Sequence, residues 1–292
     1  MQPARFRTIV WQHYRAHGRH DLPWRKKHTL YRVLVSEVML QQTQVERVIP
    51  FYKNFLKKFP TARRLAEVPL SDVLKSWQGL GYNRRAKMLH AAAKEIITPR
   101  FDLGVALEKL PGVGPYTARA VAAFARNQDV ILIETNIRTA VMHHFFPNKK
   151  KVSDAQIEKI LLQVLPKGKS REWYSALMDY GSHLKRSGIS LNKKSATYAK
   201  QSKFTGSLRE VRGAIVRLLA KKPASRTSIM KLFDVSRRAQ LLEALEALRA
   251  ESLVKKKASV PLAFARPSPA ALVRKFQGGE PLFLAGRRTR FF

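Results

Sequence analysis

From Arg5 to about Lys200, apolar residues recur at three- and four-residue spacing with polar positions between them, the pattern of successive amphipathic helices. The spacing predicts helices over 30–58, 70–77, 85–97, 117–125 and 137–145. Alternation of period two is scarce, and the breaks carry Gly and Pro: Leu22-Pro23, Gly79-Leu80-Gly81, Leu110-Pro111-Gly112-Val113-Gly114-Pro115 and Phe146-Pro147-Asn148. The expected fold class is all-α with short connections.

Between Ser182 and Ser207 the periodicity fades into Lys/Ser/Asn-rich sequence, so a first domain is placed over 1–200. A second unit, 201–266, opens with apolar spacing at Val211, Ile215, Leu218 and Leu219. Short helices follow around 229–233 and over 236–250, then a strand at Leu253-Val-Lys-Lys-Lys and an apolar Val260-Pro-Leu-Ala-Phe segment. Three helices followed by a hairpin is the winged-helix order, in which the third helix can enter a DNA groove. Glu243, Glu246 and Glu251 along that helix leave Arg237, Arg238 and Arg249 to make phosphate contacts, and docking of a protein is the alternative. The basic, Pro/Gly-punctuated stretch 267–292 reads as a tail.

Charge changes the picture most. Lys plus Arg number 56 against 20 Asp plus Glu, a formal charge of +36. Such an excess repels itself unless a polyanion neutralises it, so double-stranded DNA is the expected partner. No run of about 18 apolar residues exists, which argues against a membrane span. The first residues lack the apolar stretch of a secretion signal, so a cytoplasmic, nucleoid-associated monomer is expected. The chain has no cysteine, which excludes disulfides, thiolate nucleophiles, zinc–thiolate sites and cysteine-ligated iron–sulfur clusters.

Two features carry candidate chemistry. Glu37 stands among Val33, Leu34, Val35, Val38, Met39 and Leu40, and apolar surroundings raise a carboxyl pKa until the group can serve as a general acid. A solvent-facing glutamate on an amphipathic helix is the alternative. Gly112 and Gly114 permit a tight turn that aims N–H groups at a phosphate in front of the next helix; an ordinary helix connection is the alternative there. His143-His144 lacks a third ligand at metal spacing and reads as a half-buried pair, so no metal site is expected. Trp77 and Trp173 read as core, and Lys149–Lys151 as a solvated loop.

Four blocks, Leu22-Pro-Trp-Arg25, Ser36-Glu-Val-Met-Leu-Gln-Gln-Thr-Gln-Val45, Gly79-Leu-Gly-Tyr82 with Arg84 and Arg85, and Leu110-Pro-Gly-Val-Gly-Pro-Tyr-Thr-Ala118, resemble the motifs of MutY-type adenine DNA glycosylases of the helix-hairpin-helix superfamily, to which endonuclease III also belongs. The resemblance runs from near Phe6 to about Gly181. It implies a bilobal helical glycosylase of base excision repair, with DNA across the cleft and the target base flipped out. It further implies that Glu37 protonates the adenine ring and then handles the water. Trp24 and Arg25 would line the base pocket. Gln41, Gln42 and Tyr82 would enter the base stack, filling the space that flipping vacates. Gly112, Gly114, Thr117, Arg84 and Arg85 would bind phosphate, with a monovalent cation at the hairpin as the one candidate ion. Glycosylases that also cut the strand carry a lysine where Tyr116 stands, so no Schiff base can form there and a monofunctional enzyme is expected.

The sequence departs from that family in three places. The second carboxylate, an aspartate in the family, corresponds to Glu134 in Ile131-Leu-Ile-Glu-Thr-Asn-Ile-Arg138; its role is either transition-state charge stabilisation or that of a first-turn acid favoured by the helix dipole. Asn136 retains the family residue. The four cluster cysteines are replaced by sequence containing Lys185, Arg186, Lys193 and Lys194, which is read as a substitute set of phosphate contacts. Beyond residue 200 the pattern does not resemble the family's domain that recognises 8-oxoguanine, and the winged-helix-like unit is expected in its place. Adenine opposite guanine or 8-oxoguanine is the leading substrate. A mismatched pyrimidine or modified, foreign-DNA base is the second reading, and a non-catalytic DNA-binding protein on the same scaffold the third.

Overall fold

The computed structural model describes residues 1–99, 107–197, 203–256 and 282–284. Its helices are α1 (Pro3–His17), α2 (Leu30–Leu40), α3 (Val45–Lys58), α4 (Ala62–Glu67), α5 (Leu70–Trp77), α6 (Arg84–Ile96), α7 (Pro115–Arg126), α8 (Thr135–Phe145), α9 (Asp154–Val164), α10 (Ser170–Arg186), α11 (Leu208–Lys221), α12 (Arg226–Met230) and α13 (Arg238–Ala250). Strands β1 (Val254–Lys256) and β2 (Leu282–Leu284) pair antiparallel, Val254 opposite Leu284.

The single helix expected over 30–58 is two helices. α2 stops at Leu40 because Gln41 (ψ +113) and then Gln42 (φ +54) leave the right-handed helical conformation and form a turn. Thr43 stabilises the turn, its N–H donating to Leu40 O at 3.2 Å and its hydroxyl to Gln41 O at 3.3 Å. Hydrophobic periodicity is blind to a break of this kind, since the apolar stripe resumes in phase.

The residues group into two compact units: Met1–Lys58 with Thr98–Gln201, and Phe59–Ile97 with Ser202–Phe292. These cut across the linear division at residue 200, since the second unit takes α4, α5 and α6 from the middle of the first expected domain.

In the first unit Phe6, Val10, Leu132, Ile137, Val141, Trp173 and Leu177 are fully enclosed. Trp173 is the hub, with Phe6 edge-on at 6.3 Å and Trp11 at 5.3 Å. α10 lies along α8 so closely that a Cβ on Gly181 would fall 2.0 Å from Asn136 O. A glycine is therefore what lets the two backbones touch.

In the second unit Trp77, Leu65 and Leu89 are buried, as are Val211, Ile215, Leu241 and Leu248. α11 packs against α13, β2 and α5. The helix order expected after residue 207 is present, with the third helix starting at Arg238 behind a 3-10 turn at Val235–Arg237. The partner of β1 is Leu282–Leu284, out of the stretch read as a tail; the Val260-Pro-Leu-Ala-Phe segment lies outside the described residues. Arg237, expected as a phosphate ligand, is only partly exposed and is engaged within the protein. It stacks over Phe233 at 4.3 Å and pairs with Glu210 at 2.8 Å, tying the start of α13 to α11.

Candidate active site

α2 is apolar almost all round, so it is buried on nearly every side, and Glu37 is carried inside with it at 8% exposure. α7 packs against α2 and begins at the hairpin turn, placing Tyr116 in its first turn. The Tyr116 hydroxyl donates to the Glu37 carboxylate. Burial pushes the Glu37 carboxyl up to about 7, the nearby Glu134 charge adds to the rise, and the Tyr116 hydrogen bond opposes it. Near neutral pH Glu37 thus holds its proton about half the time, as a general acid requires.

Glu134 is the N-cap of α8. Its Oε1 accepts from the backbone N–H of Asn136 at 2.7 Å and of Ile137 at 2.8 Å, and its Oε2 from Asn136 Nδ2 at 3.2 Å. Two of the helix's unpaired N–H groups are satisfied this way. Burial raises the Glu134 carboxyl; those N–H groups, with Lys185 and Arg138, hold the rise in check. The first-turn and charge-stabilising readings of Glu134 are therefore compatible, because the capping carboxylate lies within electrostatic reach of both Glu37 and Tyr116. Burial and the two glutamates together raise the Tyr116 phenol far above its ordinary value, so it stays a donor. One acid with a pKa near neutrality, one hydrogen-bonded carboxylate and one phenol form a constellation suited to cleaving a bond between a basic leaving group and a carbon that becomes cationic.

Residues 35–167 match the model of the HhH-GPD superfamily base excision DNA repair protein. The adenine DNA glycosylase of Mycolicibacterium smegmatis is 34% identical over 267 residues, covering 83% of this chain and 90% of that protein. The chain belongs to this base excision repair family. Adenine DNA glycosylases of Buchnera aphidicola are also similar: that of the Schizaphis graminum subspecies is 32% identical over 185 residues, 61% of this chain and 53% of that protein. That of the Baizongia pistaciae subspecies is 35% identical over 188 residues, with 61% and 52% covered. The chain spans about half the length of these two Buchnera relatives. Among solved structures, a thermostable thymine-DNA glycosylase shares the fold with TM-score 0.53 at 24% identity, covering 67% of this chain and 96% of that one. A trapped endonuclease III–DNA covalent intermediate does so with TM-score 0.50 at 20% identity, covering 63% and 86%.

The other residues singled out by this family's motifs are placed unequally. Trp24 sits in a short 3-10 turn that packs on α2 and α3, its ring edge-on to Tyr52 at 5.5 Å. The Arg25 guanidinium is engaged within the protein: it clasps Asp179 at 2.7 and 3.0 Å and donates to Ser175 O. Arg19 clasps the same carboxylate, side-chain exposure 2%, at 2.7 Å. Asp179 is held below the usual carboxylate range because these two guanidinium groups outweigh the effect of its burial. Thr117 also differs from the sequence expectation of a phosphate ligand. It is buried, and its hydroxyl accepts from Gln41 Nε2 at 3.4 Å, anchoring the end of α2 to α7. Gln42 is exposed at the left-handed turn.

In the hairpin Gly112 takes φ +76, which only glycine adopts without strain, whereas Gly114 takes φ −88 and a Cβ there would meet nothing within 4 Å. The turn requires the first glycine; the second leaves open space in front of the helix. In the second unit Gly79, Gly81 and Tyr82 have φ of 101, 75 and 49. Arg85 is not an outward phosphate ligand: it stacks on Trp77 and Tyr82 at 5.5 and 5.3 Å and donates to Leu80 O and Gly81 O. Arg84 is exposed. Arg209 of α11 also lies over the Tyr82 ring, at 5.3 Å, and donates to its hydroxyl.

Of the four cations read as substitute phosphate ligands, Lys185 donates to Asn136, Arg186 to Ser182 and Lys194 to Pro147 O. The sequence motifs single out neither Asp179 nor Arg19, because the partners of Asp179 lie some 150 positions away in the chain, and they give Lys185 only as one of the substitute phosphate contacts. His144 is half-buried, hydrogen-bonded to Tyr180 at 2.7 Å, and burial pushes its imidazole down to about 4. Among the described residues no group of three or more His, Asp or Glu is placed to hold a metal ion, and no helix is long and apolar enough to cross a membrane.

Proposed function

We propose that this protein is a monofunctional DNA glycosylase that releases adenine mispaired with guanine or 8-oxoguanine from double-stranded DNA. The observation that carries the reading is the Glu37–Tyr116–Glu134 constellation, in which a buried carboxyl raised to about 7 is held by the Tyr116 hydroxyl and a second carboxyl accepts three hydrogen bonds from Asn136 and Ile137.

Glu37 transfers its proton to a ring nitrogen of the flipped adenine while the bond between sugar C1′ and the base nitrogen breaks, its electron pair leaving with the base. The positive charge that develops on the sugar is stabilised by the Glu134 carboxylate. Water adds to C1′ and gives its proton to the Glu37 carboxylate, which restores the acid. Tyr116 orients Glu37 through its hydroxyl, and the absence of an amine at this position leaves water as the nucleophile. Trp24 contributes a wall of the base pocket, with Arg25 holding that wall through Asp179. Gln42 and Tyr82 are proposed to enter the base stack, and Arg84 with the backbone N–H groups beyond Gly112 and Gly114 to hold phosphate. A monovalent cation held at the hairpin is proposed to brace the turn.

The test is a panel of duplexes with a single mispair or lesion, incubated with protein, treated with alkali and resolved on a gel. Strand breaks at adenine opposite guanine or 8-oxoguanine, appearing only after alkali, are expected. Breaks without alkali would refute the monofunctional assignment, and activity confined to a pyrimidine would refute adenine.

A further inference from the structure

Lys185 lies in the last turn of α10, and its ammonium donates to Asn136 Oδ1 at 2.7 Å. Asn136 in turn donates through Nδ2 to Glu134 Oε2 at 3.2 Å and through its backbone N–H to Oε1 at 2.7 Å. The three residues form one directed chain from cation to amide to carboxylate. An ammonium can only donate and a carboxylate only accept, so the orientation of the amide between them is fixed by chemistry.

The titratable and charged groups facing Glu134 come from four helices: Glu37 on α2, the Tyr116 phenol on α7, Arg138 on its own α8 and Lys185 on α10. Arg138 is already balanced by Asp154, which it binds at 2.7 and 2.8 Å. Among the described residues Lys185 belongs to no ion pair within 4.0 Å, so its charge, unlike that of Arg138, is not shared with a second carboxylate when it offsets Glu134. It is half-buried, which makes that charge act at higher strength than a solvated one would.

We propose that Lys185 is a positioning residue for base release: it locks the Asn136 amide and keeps Glu134 ionised at a pH where Glu37 still holds its proton. This rests on the acid–carboxylate reading of Glu37 and Glu134. It assigns Lys185 to the reaction centre instead of the DNA backbone.

The experiment measures single-turnover base release against pH, and DNA affinity against salt, for the full chain and for Lys185→Met, Lys185→Gln and Lys185→Arg. Removing the cation lets the buried Glu134 titrate higher, so the rising limb of the pH profile moves up by roughly one unit in the Met and Gln variants. The rate on that limb falls about tenfold, and the salt slope of DNA binding is unchanged. Arg, which keeps charge and donors, restores the profile. The Gln variant, which keeps a donor to Asn136, reads the charge effect should Met disturb the fold. A profile that stays put while affinity and salt slope both fall makes Lys185 a phosphate contact and overturns the proposal. Glu37→Gln run in parallel separates the levels: if it releases base at the parental rate, the acid–carboxylate reading fails and the proposal falls with it. If it is inactive while Lys185→Gln keeps the parental profile, only the Lys185 assignment falls.

Discussion

Replacing Gly181 by Ala adds one methyl group where α10 touches α8. The new Cβ would lie 2.0 Å from Asn136 O, 2.6 Å from its carbonyl carbon and 3.0 Å from its Cα. All three are backbone atoms, so no side chain can swing aside, and the helices must part by about 1.4 Å to bring the 2.0 Å approach out to an ordinary contact of 3.4 Å. Overpacking of this kind costs about 1–3 kcal/mol, against a gain of about 0.5–1 kcal/mol for alanine over glycine in a helix. The expected net loss of about 1–2 kcal/mol is read as a lower denaturation midpoint at unchanged m-value. Activity suffers more, because Asn136 holds Glu134 and a displacement of about 1 Å in a catalytic group can cost roughly 100-fold. Urea unfolding followed by fluorescence, with single-turnover base release on the folded variant, measures both. A variant that unfolds at the parental midpoint and releases base at the parental rate would refute the claim that this close approach positions the site.

Other outcomes follow from the same geometry. Base release should fall as pH rises through about 7, where Glu37 loses its proton, and fall again in acid as Glu134, whose carboxyl is raised above its ordinary value, becomes protonated; a rate that keeps rising above pH 8 would exclude Glu37 as the acid. Glu37→Gln should abolish release while leaving DNA affinity within about twofold, measured by fluorescence anisotropy, since it removes a proton donor and no cation. Asp179→Ala leaves two guanidinium groups without their carboxylate and should cost about 3–5 kcal/mol. Because the folded Asp179 titrates below its unfolded value, its contribution is present at neutral pH and lost as pH falls through the carboxylate range, so the variant's stability should vary less with pH in acid. Arg209→Leu should loosen Tyr82 and lower the yield of base flipping, seen with a 2-aminopurine reporter, with the Glu37-dependent chemistry otherwise unaltered; an unchanged flipping signal would count against a role for that clamp.

The helices and the acid were legible because each leaves a local signature. α2 is nearly all apolar, so the burial of Glu37 and the direction of its shift follow from its neighbours in sequence. The Gly-Val-Gly turn marks the start of α7, and with it Tyr116. What escaped was set by partners distant in the chain. Arg25 looks like any exposed arginine in a Pro-Trp-Arg run until Asp179 is brought beside it by α10. Thr117 carries a hydroxyl suited to phosphate, but its helical position turns it inward to Gln41. Lys185 was one basic residue among several in a polar stretch, and only the close packing of α10 on α8 singles it out. The turn at Gln42 depends on a backbone angle that side-chain hydrophobicity does not encode.

The second compact unit is assembled from two separated stretches of chain, Phe59–Ile97 and Ser202–Phe292, with α11 against α5, Arg209 against Tyr82, and Lys87 bonded to the Glu251 carbonyl. During synthesis the first stretch leaves the ribosome long before the second exists, so part of its apolar surface must wait for the end of the chain. Ending the gene after residue 202 would then not release a detachable DNA reader. It would leave α4, α5 and α6 without the surface they close against, and the shortened product should require a chaperone or precipitate. Nature's freedom to exchange the C-terminal segment in such a protein is bounded accordingly: any replacement must supply a core for the middle of the chain as well as a new surface.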